Sequence, residues 1–236
     1  MGFFGLFDSK ASLGGSGVLQ GACDSHSHIL FGVDDGIKTL EESLQAISVE
    51  ESLGITELWC TPHVMEDVPN ATASLKERFE QLRSAYSGNI SLNLAAEYML
   101  DTVFEERLES GDLLLMKDDV VLVETSTWTP PMDMKDTFRK MLGKGYYPLL
   151  AHPERYRYMD KSDYEDLVRA GVRFQLNLPS LAGYYGETAA KKASWLLSKE
   201  MYSVVGTDCH RVQSLGEPYS RKVISKEDIR NLEKIL

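Results

Sequence analysis

The stretch 147-YPLLAH-152 is a short apolar run that ends on a histidine. Apolar without alternation, it reads as a strand covered on both faces, as strands of a parallel sheet are. The pattern recurs along the chain. The run 119-DVVLVE-124 ends on Glu124, 55-ITELWCT-61 leads to His63, and 90-ISLNLAAE-97 ends on Glu97. The run 203-SVVGTD-208 ends on Asp208, with His210 two residues on. Further strands are expected at 18-VLQGACD-24 and 172-VRFQLN-177. Amphipathic stretches lie between. Residues 39–53 carry Leu40, Leu44, Ile47 and Leu53 at helical spacing, with Thr39 and Glu42 as a capping pair. Other helices are expected near 74–87, 101–110, 133–143, 162–170, 187–200 and 225–236. About seven strand–helix units in one composition regime predict an α/β fold of barrel type.

The isolated polar residues then fall into place. His26 and His28, in 23-CDSHSHILFGVDDG-36, follow the first strand, and His63 follows the second. With His152 and His210, all five histidines of the chain sit at carboxyl ends of expected strands. In a parallel barrel those ends gather on one face, where barrel enzymes hold their active sites. An H-x-H pair alone is weak, and a buried Glu at a strand end is often half of an ion pair. The joint pattern is stronger, because six segments deliver ligand-type side chains to one rim. Extended backbone also turns His26 and His28 the same way, and Asp208 and His210 likewise. The candidate metal ligands are His26, His28, Asp35, His63, Glu97, Glu124, His152, Asp208 and His210. A catalytic ion takes about three protein ligands and keeps an open position, so nine ligands predict two or three divalent ions. Imidazole and carboxylate without thiolate suit manganese first, then iron or zinc, with magnesium less favoured.

Composition narrows the classes. The chain has 236 residues, 43% apolar and 26% charged, as soluble globular proteins do. A net charge of -11 argues against a nucleic-acid partner, though bound cations reverse the sign locally for an anionic substrate. Three cysteines suit reduced thiols and a cytoplasmic location. A cysteine phosphatase of C-x5-R type is excluded, because Ile29, Glu66 and Leu215 stand six residues beyond Cys23, Cys60 and Cys209. Residues 1–17 are expected to be a flexible tail, with 12-SLGGSG-17 as linker, and 18–236 the functional domain. Phe3, Phe4, Leu6 and Phe7 raise the question of membrane contact, but stable insertion is not expected.

The order H-x-H, V-D-D-G, T-P-H, A-E, V-E, H-P-E-R-Y and T-D-x-H resembles the PHP (polymerase and histidinol phosphatase) family, closest to its bacterial CpsB/YwqE-type tyrosine-phosphatase branch. The stretches 32-GVDDGIKTLEESL-44 and 151-AHPERY-156 are the most specific. The resemblance covers residues 22 to about 230 and is the main ground for Asp35. It implies a distorted (β/α)7 TIM-like barrel with a trinuclear centre. His26, His28, Glu97 and Asp208 would hold one ion, Glu97, Glu124 and His152 a second, and Asp35, His63 and His210 a third. It implies a metal-dependent protein-tyrosine phosphatase acting on a bacterial tyrosine kinase of capsule or exopolysaccharide synthesis. The alternatives are a histidinol-phosphatase-like enzyme or a phosphodiesterase on the same centre. The forked guanidinium of Arg155 matches phosphate geometry. Arg211 and Arg221 are candidates for a second phosphate contact. Asp24 is expected to orient His26 or His28, and Tyr156 and the pair 184-YY-185 to line the entrance for a tyrosine ring.

Overall fold

A computed structural model describes residues 10–236. It is a mixed α/β fold built on parallel strands. One sheet has the order β1-β2-β4: β1 is Cys23–Ser27, β2 Glu57–Cys60 and β4 Ser91–Leu94. The other runs β3-β5-β6-β7-β8-β9: β3 is His63–Val64, β5 Glu97–Met99, β6 Val120–Glu124, β7 Tyr147–Ala151, β8 Arg173–Asn177 and β9 Tyr202–Gly206. Every pairing within the two sheets is parallel. The helices are α1 Leu13–Ser16, α2 Leu40–Leu53, α3 Thr72–Ala85, α4 Thr102–Ser110, α5 Met134–Gly143, α6 Lys161–Arg169, α7 Leu178–Leu181, α8 Glu187–Ser198, α9 Glu217–Ser220 and α10 Lys226–Leu232.

The division into two sheets is slight. Pro62 has no N–H to give, and residues 61–62 separate β2 from β3. Pairing nevertheless continues across the gap: Ala95 donates to the Cys60 carbonyl and Glu97 to the Pro62 carbonyl, at 2.9 and 3.1 Å. On the far side β1 meets β9. Asp208 N–H donates to the His26 carbonyl at 2.8 Å, and His28 N–H to the Cys209 carbonyl at 3.1 Å. Gly206 makes this approach possible, since a Cβ there would lie 2.5 Å from His26 Cβ and 2.7 Å from Gln175 Nε2.

β6 is buried along its whole length, as its unbroken apolar run requires. Thr39 caps α2 in a full capping box with Glu42. The first strand begins later than expected, at Cys23 rather than Val18. The apolar run 18–22 forms turns that bury Leu19 and Ala22, while the strand itself is the polar CDSHS.

The expected flexible linker is corrected for residues 11–17. Ser12 Oγ accepts the Gly15 N–H and starts α1, Leu13 is fully buried, and Ala11 pairs with Ile224 in an antiparallel bridge. Glycine and serine content speaks of chain freedom, but Leu13 supplies an anchor. Gly14 lets it seat, because a Cβ there would lie 3.2 Å from Leu53 and 3.3 Å from the Tyr219 carbonyl. Residues 1–9, with Phe3, Phe4, Leu6 and Phe7, lie outside the described residues. Among the described residues, no helix is long and apolar enough to cross a membrane.

Candidate metal centre

The carboxyl ends of the strands carry the polar side chains. His26 is the last residue but one of β1 and His28 follows the strand; His63, just past β2, starts β3; Glu97, just past β4, starts β5; Glu124 closes β6; His152 follows β7; Asp208 and His210 follow β9. His26, His28, Glu97, Glu124, His152 and Asp208 are buried. All nine predicted ligands come together. They form four overlapping groups able to hold a cation: His28, Asp35, His63 and His210; His26, His28 and Asp208; His26, Glu97 and His152; and His63, Glu97 and Glu124. Within each group the donor atoms lie within 4.8 Å of one another.

Glu97 is the hub. Its Oε2 lies 3.2 Å from His26 Nε2, His28 Nε2 and His63 Nδ1, and its Oε1 is 3.2 Å from His152 Nε2. Asp208 Oδ1 stands 3.6 and 3.5 Å from the Nε2 atoms of His26 and His28. Glu124 Oε1 is 3.1 Å from His63 Nδ1, and Asp35 Oδ1 joins His63 and His210 at 3.5 and 3.3 Å.

The tautomers favour ligation. Gln175 Nε2 donates to the Leu176 carbonyl, and the His152 N–H donates to Gln175 Oε1. That oxygen therefore faces His26 Nδ1, 2.9 Å away, as an acceptor. His28 Nδ1 donates to Asp34 Oδ2 at 2.8 Å. With both Nδ1 atoms protonated, both Nε2 lone pairs point into the centre. Glu97 Oε2, His63 Nδ1 and His152 Nδ1 are buried without a hydrogen-bond partner among the described residues. A buried carboxylate oxygen ringed by imidazoles yet unbonded is a donor set fitted to a cation.

The charges agree. Burial pushes His26 and His63 down, but Glu97 and its neighbouring acids outweigh it and bring both up to about 9. His210 rises to about 11 against its burial, through Asp208 and Asp35. Burial would raise Glu97 and Asp208, yet the imidazoles hold both well below the carboxylate range. The backbone is strained at two of these positions: His152 has φ of 35° and Asp208 of 51°, left-handed values for side chains that rarely adopt them.

Arg155 pairs with Asp208 Oδ2 at 2.7 Å and lies 4.4 Å over the Tyr185 ring. Tyr185 OH and Asn177 Nδ2 donate to the same oxygen, at 3.2 and 2.9 Å. Glu154 is not the partner of Arg155; it accepts from the Asn177 N–H and Tyr202 OH. Arg211 lines the same cleft with Asp35, Tyr184, Tyr185, Asp208 and His210. Arg221 instead donates to the Ala182 carbonyl.

Two expectations are corrected. Asp24 is fully buried and touches no imidazole nitrogen; it accepts the His26 and Thr207 N–H groups and the Thr207 hydroxyl. It ties β1 to the segment after β9 through the His26 and Thr207 N–H groups. Tyr156 is fully buried and its hydroxyl accepts the Thr125 N–H, so it lies beneath the rim; of the following pair Tyr184 is exposed and Tyr185 half-buried. The orienting roles fall to Asp34 and Gln175, which the sequence reading missed. Parity was the available signal, since Gln175 and Asn177 alternate toward the same face of an otherwise apolar strand. The cysteines stay outside the centre: burial pushes Cys23 up to about 12 and raises Cys60 and Cys209 as well.

Fold and site together define a parallel α/β protein with a candidate metal centre at its strand ends. The chain belongs to the CpsB/CapC family of capsular polysaccharide synthesis, whose pattern matches residues 22–226. It is 27% identical over 213 residues to the tyrosine-protein phosphatase CpsB of Streptococcus pneumoniae, covering 84% of this chain and 86% of that protein. It is 29% identical over 198 residues to the tyrosine-protein phosphatase YwqE of Bacillus subtilis (strain 168), covering 81% and 78%. A solved structure from work on YwqE and CpsB, described there as unique metal-dependent tyrosine phosphatases, superposes with a TM-score of 0.77. That match has 27% identity and covers 90% of this chain and 86% of that one.

Proposed function

We propose that this chain is a metal-dependent protein-tyrosine phosphatase, acting on a tyrosine-phosphorylated protein of capsule or exopolysaccharide synthesis such as a bacterial tyrosine kinase. The observation that carries it is Glu97 Oε2, unbonded and 3.2 Å from three imidazole nitrogens, with the Arg155 guanidinium on the same rim. The named relatives support the substrate class.

Two or three divalent ions, manganese first, would be held by His26, His28, Glu97 and Asp208; by Glu97, Glu124 and His152; and by Asp35, His63 and His210. Such ions make bound water acidic near neutral pH and offset charge on phosphate oxygens. This chain's own groups do the rest. Asp34 and Gln175 fix the ring planes of His28 and His26. Arg155 presents its free donors to the phosphoryl oxygens, with Tyr185 holding the guanidinium flat beneath. Arg211 closes the same cleft. A tyrosinate leaves with a pKa of about 10, so less protonation is needed than for an alkoxide.

We infer likewise that the two sheets form one distorted seven-stranded barrel, β2 with β3 and β4 with β5 each counting as one strand and β1 closing against β9. Residues 18–236 make the functional domain, with residues 10–17 docked onto it, and the setting is cytoplasmic. The test is hydrolysis of a phosphotyrosine peptide by EDTA-stripped protein before and after manganese, beside a phosphoserine peptide and histidinol phosphate. Manganese-restored activity selective for phosphotyrosine is expected. Preference for histidinol phosphate, or for a phosphodiester after all three fail, would replace the substrate and keep the centre.

A further inference from the structure

Next to the metal centre, and sharing Arg155 and Tyr185 with its cleft, is a cavity of about 550 Å3. Its lining includes Thr127, Arg157, Thr188 and Lys192. The protein is strongly acidic, yet this wall carries three cations. Its two acids are already engaged. Glu154 is buried against Tyr202 and the Asn177 N–H, and Glu187 pairs with Lys191 at 2.6 Å.

Arg157 stands out among the cations. It is exposed and makes no ion pair among the described residues. Its guanidinium lies 3.6 Å over the Trp128 ring, and its backbone N–H donates to the Thr127 carbonyl. Trp128 itself is 64% exposed, a large aromatic kept at the surface on the loop that leaves Glu124. Stacking holds the guanidinium plane and leaves its edge of N–H donors open, the arrangement that matches carboxylate or phosphate. Lys192 contributes a second positive head, fixed in place by the Tyr156 and Met159 carbonyls at 2.6 and 2.8 Å.

We propose that this cavity is a second anion-binding subsite, which takes a phosphate or carboxylate on a residue flanking the phosphotyrosine of the same peptide. It rests on the phosphatase reading above, which supplies the first phosphoryl position at Arg155. The preferred substrate is then a doubly anionic peptide, with Arg157 reading the second charge and Trp128 supporting the peptide beside it.

The test uses the full manganese-loaded chain and four peptides that share one phosphotyrosine. Their flanking residue is glutamine, glutamate, phosphoserine or lysine. An anionic flank is expected to raise kcat/KM about five-fold over glutamine, the upper end for an exposed ion pair, and the gain shrinks as salt rises. Glutamate and phosphoserine arms separate carboxylate from phosphate. R157Q brings the anionic-to-neutral ratio back to one. A wild-type ratio of one, or a ratio that survives in R157Q, overturns the subsite. Calorimetric binding of the same peptides is read in parallel. If no peptide is hydrolysed, the phosphatase reading fails, while the binding ratio still decides the subsite.

Discussion

Glu97 and Glu50 are both wholly buried carboxylates, and their surroundings drive them in opposite directions. Glu97 faces His26, His28, His63 and His152 and is held well below the usual carboxylate range. Glu50, on α2, is removed from water beside Asp24, and both effects push it well above. The first is held as an anion among imidazoles; burial and Asp24 favour the neutral form of the second, whose Oε1 accepts from Thr207 Oγ1 at 3.2 Å. Burial does not decide what a carboxyl group does. The sign of its neighbours does.

The largest expected effect falls on the charged member. Glu97→Gln keeps the shape and removes the shared anion, so phosphotyrosine turnover drops by at least about 10³-fold, more than an orienting contact is worth. Turnover at the wild-type rate would break the comparison, since Glu97 would then matter no more than Glu50. Asp34→Asn is next. It leaves His28 in place but weakens its Nδ1 acceptor, and manganese affinity measured by titration falls about 10–100-fold. A third test is pH. His26 and His63 titrate near 9 and His210 near 11 in the metal-free protein, so at neutral pH cations displace protons there. Affinity therefore rises about tenfold per pH unit for each proton displaced, from pH 6 toward 9. A flat profile would mean that these rings do not ligate.

The smallest effect sharpens the other side. Burial and Asp24 make Glu50 hold its proton to higher pH in the fold than in the unfolded chain, which loses it above about pH 4.3. The folded state then binds more protons, so stability falls as pH rises from there toward the folded pKa. Glu50→Gln has no proton to hold. Its melting temperature gains on wild type as pH rises above about 4.3, by about 2–4 °C for each kcal/mol recovered. A gap constant with pH would show that Glu50 is ionised in the fold.

The strand ends were legible because buried parallel strands leave polar residues only where the apolar run stops. That gave His63, Glu97, Glu124, His152, Asp208 and His210 with the order of the strands. The first strand was misplaced by the same logic. The residues of β1 are polar because they serve the centre and its junction, so no apolar run marks it. In 34-DD-35 nothing local tells the carboxyl that orients a histidine from the one that faces the cleft. Gly36 settles it in space: a Cβ there would lie 2.9 Å from Asp34 Oδ1, so the turn folds tightly over Asp34 and leaves Asp35 outward. Glu50 was invisible, since 50-EE-51 on an amphipathic helix reads as a solvated pair. Arg157 on Trp128 depends on two loops meeting, which no spacing encodes.

The junction of β1 with β9 also sets a timetable. β1 and the residue after it bring His26 and His28, and the residues after β9 bring Asp208 and His210, from about 180 positions further along the chain. Domains tend to fold from the N-terminus during synthesis, but here β1 must wait for β9, the last strand among the described residues. Until β9 emerges, the nascent chain presents an H-x-H pair beside Asp34, without Asp208 to complete the set. Ala11 waits in the same way for Ile224. The groups that include Asp208 or His210 are therefore complete only once β9 has joined β1, whereas His26, Glu97 and His152, and His63, Glu97 and Glu124, come from earlier segments.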